Sequence, residues 1–527
     1  MYSNKENINI LTSLLVEYGI EDVVVCPGSR NAPIVHNLNE TPYITCHPVT
    51  DERSAAFVAL GITLKTNKVV AVCVTSGSAL LNLLPGVAEA SYQHKGILVI
   101  SADRPQAWID QLDGQTLPQQ GALGRFVEKS VTLPECKDDE ERWMCRRLTC
   151  EAILSMERDG KSAHINVPIS EPLFQFDVEE LPVIEPVFPI YWGDETYEEI
   201  FYQELHNAQK PMIVIGQMGR YDIDSSIVNA LSKKMVVLAE QLSVECPSPS
   251  LDTLFTLMGE DTTSYEPDLI IYIGGTTISK RLRLFLRGIE SCTVMMQNES
   301  LTLQDPTKKA GYLIVGDALQ LLCDICNNVE AEKQNHFLEH WSELIQKTHR
   351  SLEAEPASME ARAVMELEKY ITPLDDIFYA NSTSVRLAAK YASHYVFCNR
   401  GLNGIEGSLS TAVGASLVSE GNVYCVIGDL SFFYDQNALW NQHLKGNLRI
   451  LLLNNGGGSI FSTLPGLEQS PARDNFVMAK HTTTAEGVCL EYGISHLVAT
   501  NADELPSAIS YLTTEHSHRP ILLEVKI

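Results

Sequence analysis

The sequence predicts an α/β protein made of three doubly wound domains, each built on a mainly parallel sheet. Short apolar runs rich in β-branched residues alternate with helical patterns along the chain, as expected for parallel strands that are buried on both faces. The length of 527 residues also corresponds to about three to four domains. Large hydrophobic cores are therefore expected, with no need for disulfides or structural metals.

The apolar runs fall into three groups, which define the predicted domains. Examples of the expected strands are 22–26, 69–74, 96–100, 212–215, 235–238, 269–273, 423–427 and 448–453. An acidic, proline-rich segment at 176–196 and a polar, partly helical segment at 346–361 separate the groups. We therefore place a first domain at 1–178, a central domain at 195–345 and a third domain at 360–527.

Composition excludes several function classes. The chain carries 39 Lys and Arg against 67 Asp and Glu, a net charge of −28. Such an acidic surface disfavours nucleic acids and anionic membranes, although a local arginine cluster can still bind a small anion. The run 69–88 contains turn residues and predicts a strand, a turn and a helix rather than a membrane span. With no signal peptide and 13 scattered cysteines, a cytoplasmic protein with free thiols is expected.

The segment 423–461 carries the strongest chemical signal. One apolar strand ends at Gly428 and Asp429, and the next strand ends at Asn455 before a run of glycines. If these strands are neighbours, their carboxyl ends bring both side chains to one place. A carboxylate, an amide oxygen and a backbone carbonyl suit Mg²⁺ holding a diphosphate, and the glycines allow phosphate oxygens to approach the backbone.

This segment resembles the diphosphate-binding signature of thiamin-diphosphate (ThDP) enzymes, with Leu430 where that family has glycine. The departure is typical of one branch, the 2-succinyl-5-enolpyruvyl-6-hydroxy-3-cyclohexene-1-carboxylate (SEPHCHC) synthases of menaquinone biosynthesis. Other stretches that are similar to this branch lie in the first and third domains. They are Cys26-Pro27-Gly28-Ser29-Arg30, Asp51-Glu52-Arg53-Ser54, Thr75-Ser76-Gly77-Ser78-Ala79, Ala102-Asp103-Arg104-Pro105, Asn399-Arg400-Gly401 and Gly404-Ile405-Glu406-Gly407.

The resemblance implies ThDP bound through Mg²⁺ or Mn²⁺, with Asp429, Asn455 and the Gly457 backbone as metal ligands. Glu52, which would otherwise be a silent carboxylate at a helix N-terminus, matches the family's catalytic glutamate. Its implied task is a hydrogen bond to N1′ of the aminopyrimidine, which promotes loss of the thiazolium C2 proton. The remaining positions that match cofactor contacts are Ser76, Gly77, Ser382, Ile405, Gly428, Leu430, Ser431 and Ile460; Ile405 matches the residue that keeps the cofactor bent.

Arginines are expected around substrates that carry several carboxylates, because guanidinium groups bind carboxylates bidentately. The resemblance implies substrate contacts from Ser29, Arg30, Gln115, Lys280, Arg281, Arg386, Arg400, Phe461 and Leu464. Ile460, Phe461 and Leu464 would form an apolar wall for a ring, although ordinary packing explains them equally well. For Arg104, a structural ion pair is the preferred interpretation over contact with a regulatory anion.

The implied reaction is decarboxylation of 2-oxoglutarate followed by conjugate addition of the succinyl carbanion equivalent to isochorismate, which yields SEPHCHC and CO₂. Since the family builds its sites between subunits, at least a homodimer is expected, and a homotetramer is an alternative. Three alternatives remain open: another ThDP-dependent decarboxylase or acetohydroxyacid synthase, a ThDP-fold binding protein without turnover, and a nicotinamide-dependent dehydrogenase. The incomplete glycine pattern at Gly216-Gln217-Met218-Gly219 disfavours the dehydrogenase.

Overall fold

The computed structural model describes residues 1–184, 186, 196–260, 262–299, 304, 306–307, 310, 312–330, 335–354, 358–464 and 466–527. They form three sheets, and every strand pairing in them is parallel. Helices alternate with the strands throughout. The predicted α/β class with three mainly parallel sheets is therefore confirmed.

The first sheet has six strands in the order β2-β1-β3-β4-β6-β5. Strands β1 and β3 are almost wholly apolar, and β3 and β6 are largely buried, because helices cover both faces of the sheet. The elements are α1 Glu6–Glu17, β1 Asp22–Val25, α2 Ala32–Glu40, β2 Thr45–Pro48, α3 Glu52–Thr66, β3 Ala71–Val74, α4 Ser78–Asn82, α5 Leu84–Tyr92, β4 Leu98–Asp103, β5 Val127–Thr132, α6 Asp139–Asp159 and β6 Ser162–Pro168.

The central sheet has five strands in the order β11-β10-β9-β7-β8. Two apolar cores, one on each face, hold it against its helices. The elements are α7 Thr196–Asn207, β7 Pro211–Ile215, α8 Ser225–Leu231, β8 Val236–Ala239, α9 Leu251–Met258, β9 Leu269–Ile273, α10 Lys280–Gly288, β10 Thr293–Asn298, β11 Tyr312–Val315, α11 Ala318–Asn328 and α12 His336–Ala354.

The third sheet has five strands in the order β12-β13-β14-β16-β15. Strands β13 and β14 are direct neighbours, as the motif at 423–461 required. The elements are α13 Met359–Glu368, β12 Asp376–Tyr379, α14 Thr383–Tyr391, α15 Ser408–Val418, β13 Val423–Gly428, α16 Asp429–Asp435, β14 Leu448–Asn454, α17 Glu486–Tyr492, β15 Ser495–Ala499, α18 Leu505–Thr514 and β16 Ile521–Lys526, with short 3-10 and π turns between them.

The segments predicted to separate the domains are partly described. Residues 185 and 187–195 of the first segment lie outside the described residues, as do 355–357 in the second segment. The described part of that second segment is helical, because α12 continues to Ala354 and α13 begins at Met359. The domain boundaries at 178, 195, 345 and 360 stay predictions. Among the described residues, no helix is both long and apolar enough to cross a lipid bilayer.

The first and third domains share one apolar core, which is centred on α3 and α15. The two helices approach very closely, since a Cβ atom added at Gly61 would lie 1.8 Å from the Thr411 carbonyl oxygen. A Cβ atom at Gly414 would lie 2.1 Å from the carbonyl oxygen of Val58. Glycine at these two positions therefore sets the separation of the helices, and with it the position of Glu52 at the start of α3.

Candidate active site

The predicted diphosphate residues meet at the carboxyl ends of β13 and β14. Asp429 is 3% exposed and begins α16, and its carboxylate accepts hydrogen bonds from the backbone N–H groups of Leu430 (2.6 Å) and Gly457 (3.0 Å). The bond from Gly457 connects the two strand ends directly. Register across the pair aligns Gly428 with Leu453, so Asp429 and Asn455 come from adjacent strand ends.

Asn455 has an unusual hydrogen-bonding state. Its Nδ2 donates to the Ser459 hydroxyl at 2.8 Å, whereas its Oδ1 is buried and has no partner among the described residues. Buried polar atoms are almost always hydrogen-bonded, so an unpartnered oxygen at the strand end next to that of Asp429 points to a bound group. No cluster of three or more His, Cys, Asp or Glu side chains suited to a metal exists in the described ranges. A cation here would therefore use mixed oxygen ligands.

The glycines around Asp429 have different roles. Gly457 has φ +148°, and a Cβ atom there would lie 2.7 Å from the carbonyl oxygen of Met478, so a side chain is excluded by the chain itself. A Cβ atom at Gly428, by contrast, meets nothing within 4 Å. The chain's own packing does not require glycine at 428, and the open space above it suits close approach by a ligand. Ser431 is buried in the first turn of α16, the helix that begins at Asp429.

Ser382 lies at the N-cap position of α14, directly after β12. Its backbone has φ 73° and ψ −128°, a conformation that side chains other than glycine rarely adopt, and its hydroxyl makes no capping hydrogen bond. The preceding Asn381 organises the neighbouring loop, because its Nδ2 donates to the carbonyls of Asn399 and Gly404 at 2.7 and 2.8 Å. Backbone strain such as that at Ser382 is characteristic of functional sites.

Three of the predicted arginines surround the junction of the central and third domains. Arg400 is 8% exposed; its Nη1 donates to Asn381 Oδ1 at 3.1 Å, and its Nε is buried without a partner in the described structure. Burial lowers the pKa of Arg400, and the nearby Arg386 charge acts in the same direction. Arg281 and Arg386 line one cavity of about 590 Å³ between the two domains. The three guanidinium groups thus form a cationic region in an acidic protein.

Lys280 is separated from its neighbour Arg281. It lines a different cavity of about 510 Å³, together with the loop 274–277 and with Arg283 and Arg287 of α10. Successive helical residues project about 100° apart, which explains why the two predicted substrate contacts face different spaces.

A second group of predicted residues gathers at the carboxyl ends of the first sheet. Arg104 donates to the Ser76 hydroxyl (3.0 Å) and to the Gln115 carbonyl (3.4 Å), and it forms an ion pair with Asp113 at 2.7 Å. The N–H of Gly77, whose φ is +82°, donates to Gln119 Oε1 at 2.7 Å. The ion pair of Arg104 agrees with the interpretation preferred from the sequence.

Arg30 and Ser29 lie at the edge of this group. Arg30 donates to the carbonyl of Ile169 at 3.1 Å and pairs with Glu171 at 3.0 Å, so its charge is already partnered inside this chain. Ser29 is exposed beside it. Both Arg30 and Arg104 lower the pKa of the buried Asp103 against the larger, opposite effect of burial, which places the two guanidinium groups near one carboxylate.

The apolar residues predicted for the site are largely uncovered in one chain. The exposed fractions are 42% for Ile405, 38% for Phe461 and 48% for Leu464. Ile460 is partly buried in the same short turn as Phe461, immediately after the glycine run. Exposed apolar side chains beside a polar cradle are typical of a site that a ligand or a second subunit covers.

Glu52 is the first residue of α3 and is half-buried. Its carboxylate accepts a hydrogen bond from Asn82 Nδ2 at 3.4 Å. Its neighbours tie the helix start to the third domain, since the Asp51 carboxylate accepts from Asn437 and Arg53 donates to the Tyr434 carbonyl at 3.2 Å. Within the described residues, no hydrogen bond or ion pair connects Glu52 with Asp429 or Asn455.

Several side chains that support the site were missed by the sequence analysis. His481 Nε2 lies 3.5 Å from Asp429 Oδ2, and the buried Glu89 accepts the N–H groups of Gly401 (3.0 Å) and Leu402 (2.8 Å) beside Arg400. These residues carry no local motif. A buried acid such as Glu89 on an otherwise apolar helix is the one signal that could have been noticed.

Comparison with known proteins agrees with this geometry. Residues 8–123 match the family described as thiamine pyrophosphate enzyme, N-terminal TPP binding domain, and residues 381–525 match the corresponding C-terminal TPP binding domain. These ranges contain the two groups of strand-end residues described above, one in each domain. The chain is therefore an enzyme of the ThDP-dependent class.

Relatives match the whole chain. The 2-succinyl-5-enolpyruvyl-6-hydroxy-3-cyclohexene-1-carboxylate synthase of Bacteroides thetaiotaomicron is 42% identical, with 100% of this chain and 96% of the relative aligned. Proteins of the same name from Flavobacterium psychrophilum and Porphyromonas gingivalis are 33% and 30% identical, covering 96% and 100% of this chain and 93% and 95% of the relatives. Such identity along the full length of both chains shows that this chain belongs to the SEPHCHC synthase family of ThDP enzymes.

Proposed function

We propose that the protein decarboxylates 2-oxoglutarate and adds the resulting succinyl carbanion equivalent to isochorismate, which releases CO₂ and yields SEPHCHC. The relatives are named as synthases of this product, which supports the proposal. The observation in this chain that carries the proposal is the region of Arg281, Arg386 and Arg400 between the central and third domains. Planar guanidinium groups suit substrates with several carboxylates, whereas pyruvate would need only one partner.

The cofactor's diphosphate would be held at the start of α16 through a divalent cation. Asp429, the orphaned Oδ1 of Asn455 and the carbonyl of Gly457 are the oxygen donors that would bind Mg²⁺, or Mn²⁺ in its place. The open space over Gly428 supports contact between phosphate oxygens and the backbone of residues 428–431. In this assignment, Ser382 and Ile405 contact the cofactor from the adjacent loops.

When bound, ThDP would supply a nucleophilic carbon, and its thiazolium ring would serve as the electron acceptor for decarboxylation. Glu52 would hold the proton shared with the ring nitrogen N1′ of the pyrimidine, and Asn82 Nδ2 would orient its carboxylate. Ser76 and Gly77 would line the pyrimidine side, at the carboxyl end of β3. Gln115 would lie beside them, because Arg104 donates hydrogen bonds to both the Ser76 hydroxyl and the Gln115 carbonyl.

The substrates would be oriented by charge at one end and by apolar contact at the other. Arg386 and Arg400 would bind carboxylates, with Ser29, Arg30, Lys280 and Arg281 at the periphery. Phe461 and Leu464, which are exposed in a single chain, would pack against the ring of isochorismate and exclude water from it. The carboxylate-binding role of Arg400 is supported by its Nε, which is buried and has no hydrogen-bond partner in the described structure.

We also propose that two chains build each site. Among the described residues, no hydrogen bond or ion pair joins Glu52 to Asp429 or Asn455 within one chain, and Ile405, Phe461 and Leu464 of the third domain are exposed. In a homodimer, or a homotetramer made of such dimers, the first domain of one subunit would face the third domain of its partner. This arrangement would cover Ile405, Phe461 and Leu464.

The test is CO₂ release from 2-oxoglutarate in the presence of ThDP and Mg²⁺, measured with and without isochorismate. We expect release that depends on isochorismate, together with loss of the diene absorbance of isochorismate. Chelation of the metal should abolish turnover, and Mn²⁺ should restore it. Release from pyruvate instead of 2-oxoglutarate would contradict the substrate assignment while leaving the cofactor assignment in place.

A further inference from the structure

Glu240 is a buried acid that the proposed mechanism does not use. It follows β8 directly and is 3% exposed. Its carboxylate accepts the backbone N–H of Ser279 at 2.8 Å and also that of Ile278, so both oxygens hold one short segment of a second loop. That segment leads straight into α10, whose first two residues are Lys280 and Arg281.

A second carboxylate, that of Asp252 in α9, also binds the segment that precedes α10. The Ser279 hydroxyl donates to Asp252 Oδ1 of α9 at 2.5 Å and accepts the N–H of Leu282 at 3.0 Å, which caps α10. Together, Glu240 and Asp252 determine where α10 begins and in which direction its first side chains project. Arg281 then lines the same cavity as both acids.

The residues beside Glu240 attach this assembly to the third domain. Gln241 Nε2 donates to the carbonyls of Ala389 (3.2 Å) and Ala392 (3.1 Å) at the end of α14, and its own carbonyl accepts the N–H of Val396 at 2.8 Å. Leu242 and Ile278 of the central domain are buried in the hydrophobic core of the third domain. The segment that holds α10 therefore also holds α14, which carries Arg386.

We infer that Glu240 is a positioning residue for substrate carboxylates: it holds the start of α10 so that Arg281 lines the same cavity as Arg386 of the third domain. The inference rests on the proposed function. The charge of Glu240 also acts on Arg400, the buried arginine of the same region. An anionic group is suited to this place because it accepts two N–H groups and offsets part of the cationic charge before substrate arrives.

Protonation should weaken this arrangement, since a carboxylic acid can accept fewer N–H groups than a carboxylate. Burial raises the pKa of Glu240 to about 7, against the lowering effect of the two backbone hydrogen bonds. The titratable and charged groups that face it or its cavity are Asp252 of α9, Tyr272 of β9, Arg281 and Arg283 of α10, Arg386 and Lys390 of α14, and Arg400.

The test compares Glu240→Gln with a matched control, Asp268→Asn. Asp268 also accepts two backbone N–H groups, those of Gln209 and Lys210 at 2.8 Å each, but it precedes β9, at the sheet edge opposite the cavity. For Glu240→Gln, we expect KM for one of the two substrates to rise by about tenfold, with a smaller change in kcat and unchanged ThDP affinity. Asp268→Asn should leave KM unchanged.

The pH profile gives a readout that a purely structural role would not produce. Wild-type KM should rise as pH falls from 8 to 6, because Glu240 loses its charge, whereas KM of Glu240→Gln should be high and nearly flat over that range. An unchanged or lower KM in Glu240→Gln, or an equal effect in Asp268→Asn, would overturn the inference. A wild type that is inert toward both substrates would overturn the proposed function and this inference with it, so the two failures are distinguishable.

Discussion

At the scale of single residues, three predicted site residues are strained or lack a hydrogen-bond partner within the described chain: Ser382, Asn455 and Arg400. Ser382 has an unfavourable backbone conformation, Asn455 Oδ1 is buried without a partner, and Arg400 Nε is buried without one in the described structure. All three are positions that the family resemblance had marked for cofactor or substrate. Unsatisfied groups concentrate where a ligand completes the structure, which supports the assigned roles.

A buried network of polar side chains supports the Gly77 loop, and no sequence motif predicts it. His164 Nε2 contacts the Ser101 hydroxyl at 2.7 Å and Nδ1 contacts the Ser130 hydroxyl at 3.0 Å. Ser101 also accepts from Gln119, which in turn accepts the N–H of Gly77. The network thus fixes the loop that is proposed to line the pyrimidine.

Burial lowers the pKa of His164 to about 4, below the value of about 6.5 for an unfolded histidine. Its neutral form is therefore preferred in the folded protein, and the resulting stability is lost as pH falls from about 6.5 toward 4. We expect His164 to account for about 2 kcal/mol of the loss in unfolding free energy between pH 7 and pH 5. Urea unfolding at the two pH values would measure it.

The control for that experiment is His516→Gln, since His516 is exposed. The loss between pH 7 and pH 5 should be smaller in His164→Gln than in the wild type, and should keep its full size in His516→Gln. An equal loss in His164→Gln and wild type would show that the ring does not couple stability to pH.

At the scale of elements, the first and third domains use a similar turn before the helix that follows a strand. Gly77 between β3 and α4 has φ 82° and ψ −138°, and Ser382 between β12 and α14 has φ 73° and ψ −128°. Glycine adopts this conformation freely, whereas serine does so under strain. The shared geometry places backbone and hydroxyl groups at the carboxyl ends of both sheets, where ligands of open α/β sheets bind.

The contact between α3 and α15 gives a prediction about packing. Gly61→Ala would place a Cβ atom 1.8 Å from the Thr411 carbonyl oxygen, so the helices must separate. We expect a loss of about 1–3 kcal/mol in unfolding free energy, visible as a lower melting temperature. Reduced activity should accompany it, because Glu52 begins α3.

Gly487→Ala is the matched control, since Gly487 lies in α17 and an added Cβ atom there meets nothing within 4 Å. Alanine favours a helix by up to about 1 kcal/mol over glycine, so this variant should melt at the same or a higher temperature. If Gly61→Ala behaved in the same way, the close approach of α3 and α15 would not limit stability.

At the scale of the whole molecule, the proposed site is divided between chains, and complementation tests this directly. Glu52→Gln damages only the first-domain half of a site, and Asp429→Ala damages only the third-domain half. In a mixed dimer, one site would combine both defects and the other would be intact. Co-expression of the two inactive variants should therefore restore about a quarter of wild-type activity, given random pairing.

Each variant expressed alone is the control and should be nearly inactive. If every site were formed within one chain, the mixture would be as inactive as its components. Absence of recovery, in protein shown to contain both variants in one oligomer, would contradict the shared site.

The sequence by itself determined the α/β class, eight of the sixteen described strands and the placement of Asp429 and Asn455 at neighbouring strand ends. These features depend on local apolar patterning and on one strand–helix–strand unit, whose geometry is nearly invariant. Only the tertiary structure decided which cavity each of Lys280 and Arg281 faces, and that Glu240, Glu89 and His481 support the site. Such contacts join segments far apart in the chain, and no local pattern encodes which segments will meet.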